Sequence, residues 1–262
     1  MRSAAGRHLS DIVATLLSRP DEVMLEVGAG GELLVARLRV VIAAMLLLLP
    51  LANAMTGGQM NETLIGLAGA VFVNLFAQVW LALARQKRRY RWLPFASAAF
   101  DVSATTLVLC MLAANHLPAG LNSMIVWCGY LLAIALTALR NDGRVTVLVG
   151  LLAIAQYALL TAVVFSIASP DQLISSDYGT VSLGGQLQRM VLLLAFTMII
   201  AVVVYRMQRL VEMSGTDGLT GLPNRTWLVH RFPRLLDRAR RDGVSLFVAL
   251  TSNAAEAKGS QR

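Results

Sequence analysis

Three polar side chains inside long apolar runs are the residues of this chain whose chemistry stands out. Asp101 lies within the run 93–114, and Asn74 and Gln78 lie four residues apart within the run 63–84. In hydrocarbon a carboxylate costs about 2.5–3.5 kcal/mol unless it is neutralised, paired or close to water. Asn74 and Gln78 share one helix face, from which both amides can reach a carboxylate on a neighbouring helix. We therefore interpret the three residues as a candidate intramembrane polar site, which either senses a ligand or protons or fixes helix packing.

A second notable stretch, residues 217–225, reads DGLTGLPNR. Gly218 and Gly221 permit backbone angles that other residues avoid, and Pro223 disfavours helix at the residue before it. Asn224 is a favourable helix N-cap, and an apolar-periodic segment follows it. The stretch therefore predicts that a long helix is stopped, turned and restarted here.

The same stretch resembles the opening of a GGDEF domain, the catalytic domain of diguanylate cyclases, which follows the pattern D-x-L-T-G-L-x-N-R. The fixed positions of that pattern are all present: Asp217, Leu219, Thr220, Gly221, Leu222, Asn224 and Arg225. Residues 226–250 are similar to the first helix and first strand of that family. The resemblance implies signalling by cyclic di-GMP, with GTP as substrate and Mg²⁺ as metal in an intact member.

The resemblance ends after Leu250. In the family the first strand ends in a D-x-D/N-x-F-K run whose Asp binds the metal, whereas residues 251–256 here read TSNAAE. The GG[D/E]EF loop would follow later still, so no catalytic residue and no metal ligand can be carried over. We expect the matched motif residues to be structural, the tail 251–262 to be disordered, and this chain to be a truncated, inactive cyclase, for example through a frameshift.

The composition predicts a membrane protein. Hydrophobic residues make up 56% of the 262 residues and charged residues 15%, with a mean hydropathy of +0.64, whereas soluble domains carry about 25% charged residues. Apolar runs of membrane-spanning length predict six transmembrane helices, at 38–55, 63–84, 93–114, 124–139, 145–168 and 190–205. The expected fold is an all-α polytopic membrane protein followed by a fragment of an α/β GGDEF domain. Cys110 and Cys128 lie inside these runs and indicate small hydrophobic side chains, not a metal site.

The basic residues predict the orientation of the spans. The formal net charge is +8, and Lys and Arg concentrate beside alternate ends of the runs, including Arg37, Arg39 and the cluster 85–91. The loops on the other side lack Lys and Arg: 56–62, 115–123 and 169–188. Arg189 is the one exception nearby. This asymmetry predicts both termini in the cytoplasm, in a bacterial inner membrane. The cluster 85–91 is typical of a loop on anionic headgroups, and we expect no nucleic-acid partner.

The chain divides into five predicted segments. These are a cytoplasmic segment with a short amphipathic helix (1–36), the transmembrane domain (37–205), a signalling-helix linker (206–216), the GGDEF fragment (217–250) and the tail (251–262). Gly28, Gly30 and Gly31 predict a flexible joint before the first span. The segmentation therefore predicts a membrane domain connected to its cytoplasmic part by one helix.

Three functions follow as hypotheses. The first is a membrane sensor of the diguanylate cyclase family. The second is a non-catalytic membrane subunit that modulates intact cyclases. A short seam on the linker helix, Val203, Met207, Leu210 and Ser214, is spaced for a homodimer or a heterodimer with an intact cyclase. The third, a small transporter or channel, has only Asp101, Asn74 and Gln78 in its favour, with no obvious inverted repeat.

Overall fold

A computed structural model describes residues 22–86, 90 and 92–214, together with the isolated positions 16, 232, 235–236, 239–241 and 243–245. Most of these residues are helical. The helices are α1 (Glu22–Leu46), α2 (Leu48–Met55), α3 (Met60–Ala84), α4 (Leu93–Asn115), α5 (Leu117–Asn122), α6 (Met124–Thr137), α7 (Gly143–Ile167) and α8 (Leu183–Ser214). Two 3₁₀ turns, Ala138–Arg140 and Pro170–Leu173, and two short strands, β1 (Ile174–Ser175) and β2 (Gly179–Thr180), complete the described elements.

In the part of the chain that the structure describes, six helical segments are long and apolar enough to cross a membrane, which agrees with the predicted number of spans. They are Gly31–Met55, Met60–Ala84, Leu93–Asn115, Leu117–Arg140, Gly143–Ile167 and Leu183–Leu210. The chain is thus a mostly helical, multi-pass membrane protein. The first, second, fifth and sixth segments begin before the predicted runs, because helical hydrogen bonding continues through the residues that precede an apolar run. In the fourth, the short helix α5 precedes α6, which begins at Met124 as predicted.

The predicted flexible joint before the first span is wrong, since α1 runs as helix through Gly28, Gly30 and Gly31. A Cβ atom at Gly31 would lie only 2.6 Å from the carbonyl oxygen of Leu139. Gly31 therefore serves a close approach between α1 and the 3₁₀ turn that follows α6. The predicted amphipathic helix near the N-terminus lies outside the described residues, except for Leu16, which is helical and buried.

Helix α4 lies at the centre of the membrane domain. It packs against α3, α5, α6 and α7, while α1 packs against α3 and the 3₁₀ turn Ala138–Arg140. Val102 and Leu109 on α4, Tyr130 on α6 and Tyr157 on α7 belong to one buried apolar core. A polar residue on a buried face of α4 must therefore find its partner inside the protein.

The two ends of the helices carry different polar contacts. At one end the chain reverses at Asn141, whose backbone is left-handed with φ 53°, and Asp142 caps α7 by accepting a hydrogen bond from the Arg144 amide at 3.0 Å. At the other end β1 and β2 form a hairpin with Ile174 opposite Thr180. Much of the 169–188 connection is therefore ordered as a 3₁₀ turn, a hairpin and the first turn of α8.

Helix α8 is continuous over 32 residues, from Leu183 to Ser214. The prediction that the sixth span continues without a break into the linker is confirmed. Its buried positions include Leu193, Thr197, Val204 and Gln208. The helix therefore keeps one narrow face on the protein along most of its length.

The chain divides into two compact units, Met1–Val211 and Glu212–Arg262. In the second unit the described positions between 232 and 241 are helical, and the amide of Val244 donates to the carbonyl oxygen of Ala239 at 3.0 Å. Gly243, with φ 65°, supplies the left-handed residue typical of a helix end. Of the predicted strand 244–250, the first two residues have no regular structure and the others lie outside the described part.

Candidate functional site: a buried charge cluster

Helix α1 places two charged side chains on one face. Glu32 and Arg39 are seven residues apart, two helical turns, and the residues between them on that face, Val35 and Ala36, are fully buried. This face of α1 therefore carries a carboxylate and a guanidinium group into the protein, whereas Arg37 on another face is exposed.

Two other elements meet this face of α1. Helix α4 contributes Ser97 and Asp101, which are four residues apart and lie on one face. The 3₁₀ turn after α6 contributes Arg140, which is buried. These five residues (Glu32, Arg39, Ser97, Asp101 and Arg140) are called the charge cluster below.

The first ion pair of the charge cluster joins α1 to α4. Both Nε and Nη2 of Arg39 donate to Oδ2 of Asp101, at 3.2 and 2.7 Å. The Arg39 side chain is 3% exposed and that of Asp101 12% exposed. The same Nη2 atom also lies 3.4 Å from the carbonyl oxygen of Ser97. The cost of burying Asp101 is therefore offset by a cation on the neighbouring helix.

The second ion pair joins α1 to the 3₁₀ turn. The Arg140 guanidinium donates from Nε to Oε2 of Glu32 at 2.8 Å and from Nη2 to Oε1 at 3.3 Å. Such a two-pronged contact is the stronger geometry for an Arg–carboxylate pair. The hydroxyl group of Ser97 accepts from Nη2 of Arg140 at 2.8 Å and donates to Oε1 of Glu32 at 3.3 Å. Ser97 therefore bridges the two ion pairs.

The charges of the cluster balance, with two guanidinium groups and two carboxylates. One donor atom on each arginine, Nη1 of Arg39 and Nη1 of Arg140, is buried without a hydrogen-bond partner in the described protein. An arrangement of this kind costs little while intact and a great deal once one member is removed. The cluster can hold three elements in a single register.

The predicted partners of Asp101 were wrong. Among the side chains that the structure describes in 31–86 and 92–210, the hydrogen bonds of the Asp101 carboxylate go to Arg39, and neither Asn74 nor Gln78 forms a hydrogen bond. Gln78 is exposed on the surface of α3, which in a membrane domain faces lipid or headgroups. A guanidinium group neutralises a carboxylate, which an amide cannot do, so the cation is the better partner in a low-dielectric interior.

Sequence reasoning missed Glu32, Arg39, Ser97 and Arg140 as site residues. It counted Arg39 and Arg140 only as charges that orient the spans. The spacing of seven between Glu32 and Arg39, with an apolar residue at each intervening position on that face, was the signal available. The partner helix could not be identified from that spacing.

The cluster is connected to α8 through the turn that carries Arg140. Next to Arg140, Asn141 offers its carbonyl oxygen to Nε2 of Gln208 at 2.9 Å. Gln208 is buried at the end of α8 that approaches the linker. One short segment of chain therefore contacts α1 and α4 through Arg140 and α8 through Asn141.

The motif residues Asp217, Leu219, Thr220, Gly221, Leu222, Asn224 and Arg225 lie outside the described residues. In the described part of the chain no group of His, Cys, Asp or Glu side chains is arranged to bind a metal ion. Comparison of the chain with protein-family models, with curated proteins and with solved structures gives no match.

Proposed function

We propose that this chain is a membrane sensor module that transmits a signal through α8 to a GGDEF-type segment beginning at Asp217. The observation that carries the proposal is the continuity of α8 over 32 residues, up to Ser214. Such a helix is about 48 Å long, whereas the hydrocarbon core of a bilayer is about 30 Å thick. The helix therefore has length to leave the membrane and end just before the motif.

The linker end of α8 has two distinct faces, which supports a role in signalling. Val204 and Gln208 are buried against the membrane domain, while Val203, Met207 and Leu210 are exposed. The exposed residues are those of the predicted seam, so a second helix can pack on α8 while Gln208 stays bound to Asn141. On this proposal the second helix belongs to another copy of the chain or to an intact cyclase.

The distribution of exposed basic residues supports cytoplasmic termini in a bacterial inner membrane. Arg37, Arg85 and Arg206 are exposed near the membrane ends assigned to the cytoplasm. Arg189, the exception on the other side, donates to the carbonyl oxygen of Leu121 at 2.5 Å and lies over the ring of Trp127. The contacts of Arg189 are thus made inside the protein, and the other basic residues named above carry the assigned orientation.

A chimera tests transmission. Residues 217–262 are replaced by a complete GGDEF domain from an active diguanylate cyclase, joined at the shared motif, and cyclic di-GMP is measured in membranes. We expect Gln208→Ala in α8 to change production at least about threefold relative to the unsubstituted chimera, because it removes the contact between α8 and the charge-cluster turn. Val202→Ala, at an exposed position of α8 outside the seam, is the matched control for helix composition. Met207→Ala tests the seam separately.

Identical production by the chimera, by its Gln208→Ala variant and by the detached catalytic domain would refute transmission through α8. A separate assay uses the unaltered 262-residue chain with GTP and Mg²⁺. We expect it to form no cyclic di-GMP, because the family's metal-binding carboxylate is not among residues 251–256. Co-purification with an intact cyclase would favour the modulating subunit.

A further inference from the structure

A pocket of about 200 Å³ lies between the first four spans, and none of the five residues of the charge cluster lines it. Its walls are mainly apolar and include Leu46 and Leu49 from the first span, Val73 from the second, Val108 and Leu112 from the third and Leu132 from the fourth. A group of polar residues lines it as well: Asn53, Glu62, Thr63 and Tyr178. The pocket is therefore amphiphilic, with polar groups contributed near the hairpin end of the helices.

Glu62 is the charged residue of this polar group. Its side chain is 8% exposed, and its Oε2 atom accepts a hydrogen bond from the hydroxyl of Tyr178 at 2.5 Å. Burial raises the pKa of the Tyr178 phenol, and the hydrogen bond to Glu62 and the charge of Glu62 act in the same direction. The phenol is therefore held as the donor, and it satisfies one carboxylate oxygen.

The second oxygen of Glu62, Oε1, is buried and has no hydrogen-bond partner in the described protein. The nearest basic atom is Nδ1 of His116 at 3.8 Å, too far for a hydrogen bond, and that nitrogen is itself buried without a partner. A neutral imidazole can also donate a hydrogen bond from Nδ1 to a carboxylate, but at 3.8 Å the two atoms form none. Glu62 therefore has one oxygen available to a further donor.

Comparison with the other largely buried carboxylates in residues 31–86 and 92–210 shows that Glu62 is unusual. Asp101 is paired with Arg39, Glu32 with Arg140 and Asp142 with Arg144. Glu62 alone in this set has no arginine or lysine partner among the described side chains. Buried carboxylates are normally paired with a cation because the charge is costly to leave uncompensated.

We propose that the pocket binds a small amphiphilic amine, whose ammonium group pairs with Glu62 and whose apolar body lies between the helices. An ammonium group at the polar end of the pocket supplies the positive charge that Glu62 lacks. A cavity of about 150 Å³ holds a benzene molecule, so this pocket has room for a phenyl ring with a short aminoalkyl chain. The proposal rests on the pocket and does not depend on what α8 transmits.

The position of the pocket gives such a ligand access to α4. Ala104 and Thr105 line the pocket, and the Thr105 hydroxyl donates to the carbonyl oxygen of Asp101 at 3.0 Å. A bound molecule therefore contacts α4 about one turn from the charge cluster.

Direct binding tests the proposal with the full chain purified in detergent. Calorimetric titration compares phenethylamine with phenethyl alcohol, a matched pair that differs in the head group. We expect the amine to bind and the alcohol to bind at least about tenfold more weakly, because only the amine brings a charge to Glu62. Glu62→Gln should weaken amine binding by a similar factor, whereas Asp171→Asn, which removes an exposed carboxylate, should leave it unchanged.

A second variant keeps the test valid if Glu62→Gln does not fold. Gly66 lines the pocket, and a Cβ atom there would meet only the Cβ of Pro50, at 3.5 Å. Gly66→Leu should therefore fill the pocket and reduce amine binding while Glu62 remains in place; thermal unfolding and gel filtration check the fold of each variant. Equal binding of amine and alcohol, equal binding by folded Glu62→Gln, or no binding of the amine to the unsubstituted chain would each overturn the proposal.

Discussion

The guanidinium group of Arg39 lies 2.7 Å from Oδ2 of Asp101, and this ion pair joins the first membrane span to the third. Both side chains are largely buried, and the helix that carries Asp101 is the central one of the domain. If one residue of the pair is replaced, the other has few alternative partners. A substitution at either residue is therefore an informative test of the ion pair.

Asp101→Asn should destabilise the membrane domain by about 3 kcal/mol, because Arg39 would remain buried without a carboxylate. The measurement is thermal or denaturant unfolding in detergent. The double variant Arg39→Met with Asp101→Leu should recover most of the loss, since it removes both charges and leaves apolar groups of similar size. Single and double variants of equal stability would show that the two charges do not interact in solution.

Substitution of Asp101 also distinguishes a role of the charge cluster in sensing from a role in helix packing. In the GGDEF chimera, a folded Asp101→Asn variant should alter cyclic di-GMP production if the charge cluster takes part in signalling. The Arg39→Met/Asp101→Leu variant is the matched comparison, because it restores stability without restoring charge. Production unchanged in both variants, with intact folding, would assign the cluster to helix packing alone.

Gly150 allows α7 and α8 to approach closely, because a Cβ atom at that position would lie 2.2 Å from Cγ2 of Thr197. Gly150→Val should cost about 1–3 kcal/mol through overpacking, measured by unfolding in detergent. Gly184→Val in α8, where a Cβ atom meets nothing within 4 Å, is the matched control and should be tolerated. Partial rescue of Gly150→Val by Thr197→Ala would locate the strain at this contact, and absence of rescue would place it elsewhere.

Gln208 should hold the turn at Asn141 to α8. Its Nε2 atom donates to the Asn141 carbonyl oxygen at 2.9 Å, so Gln208→Ala should cost about 1 kcal/mol locally. Hydrogen exchange of the backbone amides around Asn141 should become faster in Gln208→Ala and remain unchanged in Met207→Ala. Equal protection in the two variants would contradict a restraining role for Gln208.

Cysteine labelling tests the orientation of the spans. In a background without Cys110 and Cys128, a cysteine at position 171 should react with an impermeant maleimide applied from the periplasmic side. A cysteine at position 86 should react only after the membrane is opened, because the basic residues beside it favour the cytoplasm. The reverse pattern would place the termini outside and remove the motif at 217 from the cytoplasmic GTP pool.

The sequence by itself determined the six spans, because an apolar run of membrane length has few stable alternatives to a helix. It also determined that Asp101 needs a partner, since an isolated carboxylate in an apolar run is costly. Both conclusions depend on local composition, which can be read without knowing which helices are neighbours. Orientation and the GGDEF resemblance likewise come from the sequence, and they remain predictions.

Only the tertiary structure decided which partner Asp101 receives. On the sequence alone, the Asp101 carboxylate could pair with Asn74, Gln78 or Arg39. Its actual partner depends on which helix faces pack against α4. The sequence does not show that Glu32 pairs with Arg140, 108 residues away. Nor does it show that Glu62 has no arginine or lysine partner among the described residues. Long-range pairs depend on the packing of whole helices, which no local pattern specifies.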